Sequence, residues 1–230
     1  MPVITLNPEN NNRALAAKIE YSLYSPLAQR EDVEELCSIV EAHGFYSICI
    51  NPVYASLVHK VLGDEARTRI CVNIGFPYGA NTIATKIFEL ADIARFGYVA
   101  EADVVLNLAY IKNHRWVKVG QEIAFISQMA RDKQMKSVRF IIEAELLTED
   151  EREAVCEIVH LTEATCLKTS TGVNGPGANT EIVKELRSLL DPKVKLIASG
   201  SIKSREEVLY LFSAGADMVA TTSGLQIFKK

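Results

Sequence analysis

Two side chains carry the strongest chemical suggestion in this sequence. Lys168 closes an apolar run in A-T-C-L-K-T-S-T-G, residues 164–172, and is followed at once by Thr169, Ser170, Thr171 and Gly172. Lysine is seldom buried without a partner or a task. Desolvation alone lowers an amine's pKa, and a neutral amine attacks a carbonyl. The imine that results withdraws electrons and lets a neighbouring C–C bond break or form. A lysine snorkelling from a strand end to solvent is the plainer alternative. Asp103, in A-D-V-V-L-N at 102–107, opens an otherwise apolar strand, with Val105 and Asn107 on its face at period two. A carboxylate there could move protons through a water, or could simply cap a neighbour or pair with a lysine.

Two later stretches, S-G-S-I from Ser199 and T-T-S-G from Thr221, each follow an apolar run and precede a helix start. Small residues at such turns let backbone N–H groups approach an anion. G-P-G at 175–177 could close over the same anion. His43, His59, His114 and His160 are dispersed, and no pair has metal-ligand spacing. They are expected to be solvated or capping, and neither a metal nor any cofactor is expected.

The elements that must position these groups alternate. Short apolar or β-branched runs recur near 19–23, 46–50, 69–73, 103–107, 138–142, 163–168, 194–198 and 216–220. Each is bounded by turn signals, as buried parallel strands are. Between them run amphipathic helices. Val33, Leu36, Cys37 and Val40 form one stripe, with Gly44 where a helix C′ residue belongs. Ile83, Ile87, Leu90, Ala91 and Ala94 form another, Thr148 with Glu151 and Ser204 with Glu207 spell capping boxes, and a further helix opens at Asn179 or Thr180. Eight strand–helix alternations fit a closed (β/α)₈ TIM barrel or an open doubly wound sheet. The count of eight favours the barrel, and no G-x-G-x-x-G follows the first strand. A single α/β domain over residues 1–230 is the simplest account. In a barrel, reactive groups sit at the strand C-termini, with a phosphate site commonly after strands seven and eight.

Composition removes other classes. The chain of 230 residues has a formal net charge of −4 and 48% hydrophobic residues. It shows no basic stripe for nucleic acid and no apolar run long enough for a membrane span. The N-terminal twelve residues lack the basic and apolar regions of a signal peptide. Cys37, Cys49, Cys71, Cys156 and Cys166 form an odd, scattered set without C-x-x-C. This predicts reduced thiols in a cytoplasmic protein.

Taken in order, C-I-N-P at 49–52, I-G-F-P-Y-G-A at 74–80, A-D-V-V-L-N, I-I-E-A-E-L-L-T at 141–148, K-T-S-T-G, A-S-G-S-I at 198–202 and T-T-S-G resemble the deoxyribose-phosphate aldolase family from about residue 19 onward. The resemblance implies a class I, Schiff-base aldolase that reversibly cleaves 2-deoxyribose 5-phosphate to acetaldehyde and glyceraldehyde 3-phosphate. It implies that Lys168 forms the imine and Asp103 relays a proton. It implies substrate contacts from Thr169, Thr171 and Gly172, and a phosphate surrounded by Ser199, Gly200, Ser201, Thr222 and Ser223. Cys49 would lie near the site without being essential. The implied partner is a small sugar phosphate or aldehyde. Such enzymes are often homodimers, although no exposed apolar stripe compels one here.

The pattern departs from the family in places. The second lysine expected just before A-S-G is Ile197; Lys195 is the candidate substitute, two residues earlier on the same face, unless it only reaches solvent. Lys203 lies beyond the loop. The family's I-D-H-T-L-L reads I-E-Y-S-L-Y, which brings in Glu20, Tyr21 and Ser22, and Ser201 replaces a glycine. A divergent Schiff-base aldolase for another carbonyl pair, or a non-catalytic sugar-phosphate-binding barrel, remains an alternative reading.

Overall fold

The structure, a computed structural model, describes residues 8–228; the outermost residues of the expected 1–230 domain, including most of the N-terminal stretch read against a signal peptide, lie outside it. Eight parallel strands close in sequence order into a barrel, as the alternation predicts. They are β1 (Ile19–Leu23), β2 (Ser47–Ile50), β3 (Arg69–Ile74), β4 (Val99–Val105), β5 (Ser137–Ile141), β6 (Cys166–Lys168), β7 (Lys195–Ser199) and β8 (Met218–Thr221). The helices are α1 (Pro8–Ala16), α2 (Arg30–His43), α3 (Ala55–Leu62), α4 (Ile83–Ala94), α5 (Leu108–Lys112), α6 (Trp116–Asp132), α7 (Glu149–Leu161), α8 (Thr180–Leu189) and α9 (Arg205–Ser213). None is long and apolar enough to cross a membrane.

Local signals set the helix ends. Both expected capping boxes form, at Thr148 and Ser204. Asn179 caps α8 by accepting from Ile182 N. Gly44 ends α2 in the left-handed region, with φ 73°. The stripe Val33, Leu36, Cys37 and Val40 is buried, and all five cysteines are free and buried.

Alternation along the strands sorts two interiors. Outward-facing Ile19, Ile48, Val72, Val104, Phe140, Leu167, Leu196 and Val219 join the helices in one continuous apolar layer between sheet and helix ring. Inside the barrel a much smaller apolar cluster remains, made of Cys166, Ile197, Met218 and Ala220. The rest of the buried lumen is polar, with Glu20, Ser47, Glu101, Asp103, Arg139 and Lys168 all hidden from solvent.

That polarity explains one displaced boundary. β4 begins at Val99 rather than near 103, so Asp103 is its fifth residue. Glu101 and Asp103 point into the barrel, where a charge inside a strand reads in sequence as a strand end. Asn107 is past the strand altogether and caps α5, its Oδ1 accepting from Ala109 N at 3.0 Å. The end of β4 is anchored from outside the barrel. The buried Lys86 of α4 donates to Val105 O (2.7 Å) and to the buried carboxylate of Glu122 on α6. The other Glu122 oxygen accepts from Asn107 N at 3.1 Å.

Candidate active site

Lys168 ends β6 with its side chain inside the barrel and the residue only 4% exposed, which excludes the snorkelling alternative. Its Nζ donates to Glu20 Oε1 of β1 at 2.8 Å and to Asp103 Oδ2 of β4. Behind the two carboxylates lies Arg139 of β5, which bonds Glu20 through Nη2 and Asp103 through Nε. Its Nη1 stands 3.4 Å from Glu101 Oε2. Ser47 donates to Glu20 Oε2 at 2.9 Å, and the Cys49 thiol lies 3.6 Å from Asp103 Oδ2. Cys49 therefore sits beside the cluster.

The electrostatics reverse one expectation. Burial by itself would push Lys168 toward the neutral amine, but Asp103 and Glu20 outweigh it and lift its pKa above the ordinary lysine range. The lysine rests as an ammonium. Glu20 shows the mirror effect. Burial would raise its pKa, yet Arg139 and Lys168 hold it down at about 2. A carboxylate whose folded pKa lies below its unfolded value stabilises the fold above the unfolded pKa and loses that contribution as pH falls through the folded one. Glu20 should therefore cost stability between about pH 4.5 and about pH 2. Urea midpoints measured across that window should fall for the wild type and be flatter for Glu20→Gln.

Around the mouth the loops are pinned by bare backbone. Gly172, Gly177 and Gly200 all have positive φ. A Cβ on Gly200 would come within 2.8 Å of Gly177 Cα and 3.0 Å of Gly172 Cα. The loops after β6 and β7 thus touch where a side chain would separate them. Gly200→Ala should cost about 2 kcal/mol in chemical denaturation; a neutral result would mean the loops part easily. Thr169 and Ser199 knit the same two strands. Thr169 Oγ1 donates to Ser199 O at 3.2 Å and accepts from Ser199 N, while Ser199 Oγ donates to Ser170 O at 2.7 Å. Their hydroxyl protons are therefore spent inside the protein. Thr171 is buried, with Oγ1 accepting from Val173 N. Ser201 (φ 58°) and Thr222 are exposed at the ends of β7 and β8, and Ser223 is half-buried beside Thr222.

No family model matches the chain. Comparison with individual relatives is decisive. A deoxyribose-phosphate aldolase of Desulfitobacterium hafniense (strain DCB-2) is 37% identical over 213 residues, covering 93% of this chain and 96% of that relative. Another, from Halalkalibacterium halodurans, is 32% identical over 216 residues, with 94% and 95% covered. The chain belongs to the deoxyribose-phosphate aldolase family. Among solved structures, the tetrameric deoxyribose phosphate aldolase of Aeropyrum pernix superposes with a TM-score of 0.84 at 29% identity, covering 96% of this chain and 91% of that one. QR15, an aldolase, gives 0.86 at 29% identity, with 93% and 94% covered.

Within this deoxyribose-phosphate aldolase fold, Ile197 lies beside Lys168 in register on β7 and is fully buried. Lys195 does not replace it. It starts β7, is exposed, and opens into the opposite mouth of the barrel, because two residues along a strand move a side chain toward the strand's start. Lys203 is exposed in the loop before α9. Sequence reasoning missed Arg139 and Glu101 and gave Glu20 no role. The signal was present as polar residues at period two inside apolar strands, in V-A-E-A-D and S-V-R-F-I. It also missed Tyr24, whose hydroxyl donates to Thr171 O and whose ring leans on Phe76.

Glu20, Cys49, Cys71 and Asp103 bring ligand-type atoms within 4.8 Å of one another. The positive charge that such a set would attract is already supplied by Lys168 and Arg139, and burial pushes both thiols up, away from the thiolate a metal needs.

Proposed function

We propose that the chain reversibly cleaves 2-deoxyribose 5-phosphate to acetaldehyde and glyceraldehyde 3-phosphate through an imine on Lys168. The observation that carries this is a buried amine at a strand C-terminus, hydrogen-bonded to two carboxylates on two other strands. The ammonium passes a proton to this carboxylate pair and attacks C1 of the open-chain sugar. Loss of water gives the iminium. Asp103, acting through a water, takes the proton of the C3 hydroxyl as the C2–C3 bond breaks, and the electron pair moves into the iminium to give an enamine. Protonation at C2 and hydrolysis release acetaldehyde and restore the amine. Gly172, Gly200, Ser201, Thr222 and Ser223 receive the phosphate at the loops after β6 to β8, Thr171 shapes that wall, and Cys49 lines the cavity as a neutral thiol. No cofactor takes part in this scheme.

Borohydride added with substrate should leave one reduced adduct on Lys168, located by peptide mass spectrometry. An unmodified Lys168 under turnover conditions would sink the imine, and would turn the reading toward a barrel that binds sugar phosphates without reaction. The apolar Ile197 beside the amine supports a second reading, a different aldehyde or ketone pair; a retro-aldol panel separates the two. A cytoplasmic place in deoxyribonucleotide catabolism follows from this substrate. A homodimer is the proposed assembly, and light scattering distinguishes it from a tetramer like that of Aeropyrum pernix.

A further inference from the structure

The barrel has a second mouth, at the strand N-termini, and its charge is unlike that of the chain as a whole. A cavity of about 400 Å³ opens there, lined among others by Arg69, Lys136, Lys193 and Lys195, with Arg139 and Glu101 beneath. Five basic side chains thus face one carboxylate in a protein whose net charge is −4. That carboxylate is already claimed, since Glu101 takes Arg69 Nη1 at 3.1 Å and faces Arg139 Nη1 at 3.4 Å. Among the described residues, the amines of Lys136, Lys193 and Lys195 show no ion pair or hydrogen bond. Helix C-termini gather at this end of the barrel and could account for basic residues, but Arg187 shows what that use looks like. It donates to the carbonyls of Leu190, Asp191 and Val194. The three lysines do nothing comparable. Beneath them Arg139 Nη1 and Glu101 Oε2 are buried, and neither makes a hydrogen bond.

We infer that this mouth is a binding site for a compact multivalent oxyanion of the phosphate class, on the opposite side of the barrel from Lys168. The cavity has room for a small phosphorylated molecule, and converging lysines with a guanidinium floor suit a dianion held by charge and several N–H donors. The site is joined to the other mouth through a single side chain. Arg139 faces Glu101 with one nitrogen and bonds Glu20 and Asp103 with the others, and those two carboxylates hold the Lys168 ammonium. An anion drawing on Arg139 weakens its hold on Glu20 and Asp103. Their charge then acts more fully on Lys168, so its ammonium persists to higher pH. This coupling rests on the proposed role of Lys168; the binding itself does not.

The test has two arms on the full chain. In the first, inorganic phosphate is titrated calorimetrically at fixed ionic strength into wild type and into Lys136→Gln/Lys193→Gln/Lys195→Gln. These are exposed positions, and an unchanged thermal midpoint confirms folding. The variant should lose a binding step, with affinity for that step at least tenfold weaker; equal binding by both proteins, or equal displacement by chloride, overturns the site. Repeating the titration with glycerol phosphate separates the sources, since tighter binding of the ester points to a phosphorylated metabolite and equal binding to free phosphate. In the second arm, the pH midpoint of borohydride trapping should rise with phosphate in wild type and stay fixed in the variant. A midpoint that moves equally in both overturns the coupling and leaves the site standing. A protein that traps nothing at any pH condemns the imine, while the calorimetry still decides the site.

Discussion

Lys168→Met should lower kcat by about 10⁴-fold or more and abolish the borohydride adduct, since without the amine no covalent route remains. Methionine matches the lysine stem in length and fills the same space. It leaves Glu20 and Asp103 facing each other with only Arg139 between them. The variant should still fold, because Arg139 stays, and should still bind phosphate at the loops after β6 to β8. A residual rate within tenfold of wild type would show that the amine is not the nucleophile. The carboxylates make a further distinction. Each raises the pKa of Lys168, so removing one must lower it. Glu20→Gln should move the midpoint of adduct formation toward acid. A lysine that only needs a neutral cavity would show no such shift.

Arg139→Met should cost about 4 kcal/mol of stability, the largest loss expected from any single replacement inside the barrel. Arg139 is 2% exposed and, among the described residues, is the one cation that touches Glu20, Glu101 and Asp103 together. Taking it away strands negative charge where water cannot reach. The penalty belongs to the unpaired carboxylates more than to a lost attraction, so Glu101→Gln in the same chain should recover part of it. Urea denaturation of the single and double variants reads both effects. A loss below about 1 kcal/mol in the single variant would mean that water enters the lumen freely.

Much of the architecture is legible in the sequence because the apolar layer between sheet and helices obeys simple periods. The stripe from Val33 to Val40, the capping boxes at Thr148 and Ser204 and the eight short apolar runs are local signals, and each has its counterpart in the fold, with the fourth strand starting earlier than its apolar run. Lys168 and Asp103 are legible for the opposite reason, since a charge among apolar residues stands out. What local signals do not convey is which charges meet. Glu20 and Lys168 are 148 residues apart and Glu20 and Arg139 are 119 apart, and only closure of the barrel brings them together. The depressed amine pKa expected from burial fails on the same point. Desolvation can be read from one strand, whereas the two carboxylates that override it come from two others. Lys195 reaches solvent, the alternative its place near the start of β7 left open, because position along a strand decides which mouth a side chain reaches.

The division between an apolar annulus and a polar lumen separates two jobs that most cores must share. Cohesion resides in the annulus, where Ile, Leu and Val knit strands to helices, and little of it comes from the lumen's small cluster of Cys166, Ile197, Met218 and Ala220. The lumen should instead tolerate exchange of its lining, provided the sum of its charges is kept. Three carboxylates, Glu20, Glu101 and Asp103, are matched by Lys168, Arg139 and Arg69 at the rim. Replacements made in pairs of opposite sign should retain the fold while retuning the acidity of the amine. The same barrel could then be turned to carbonyl compounds that need a differently poised lysine.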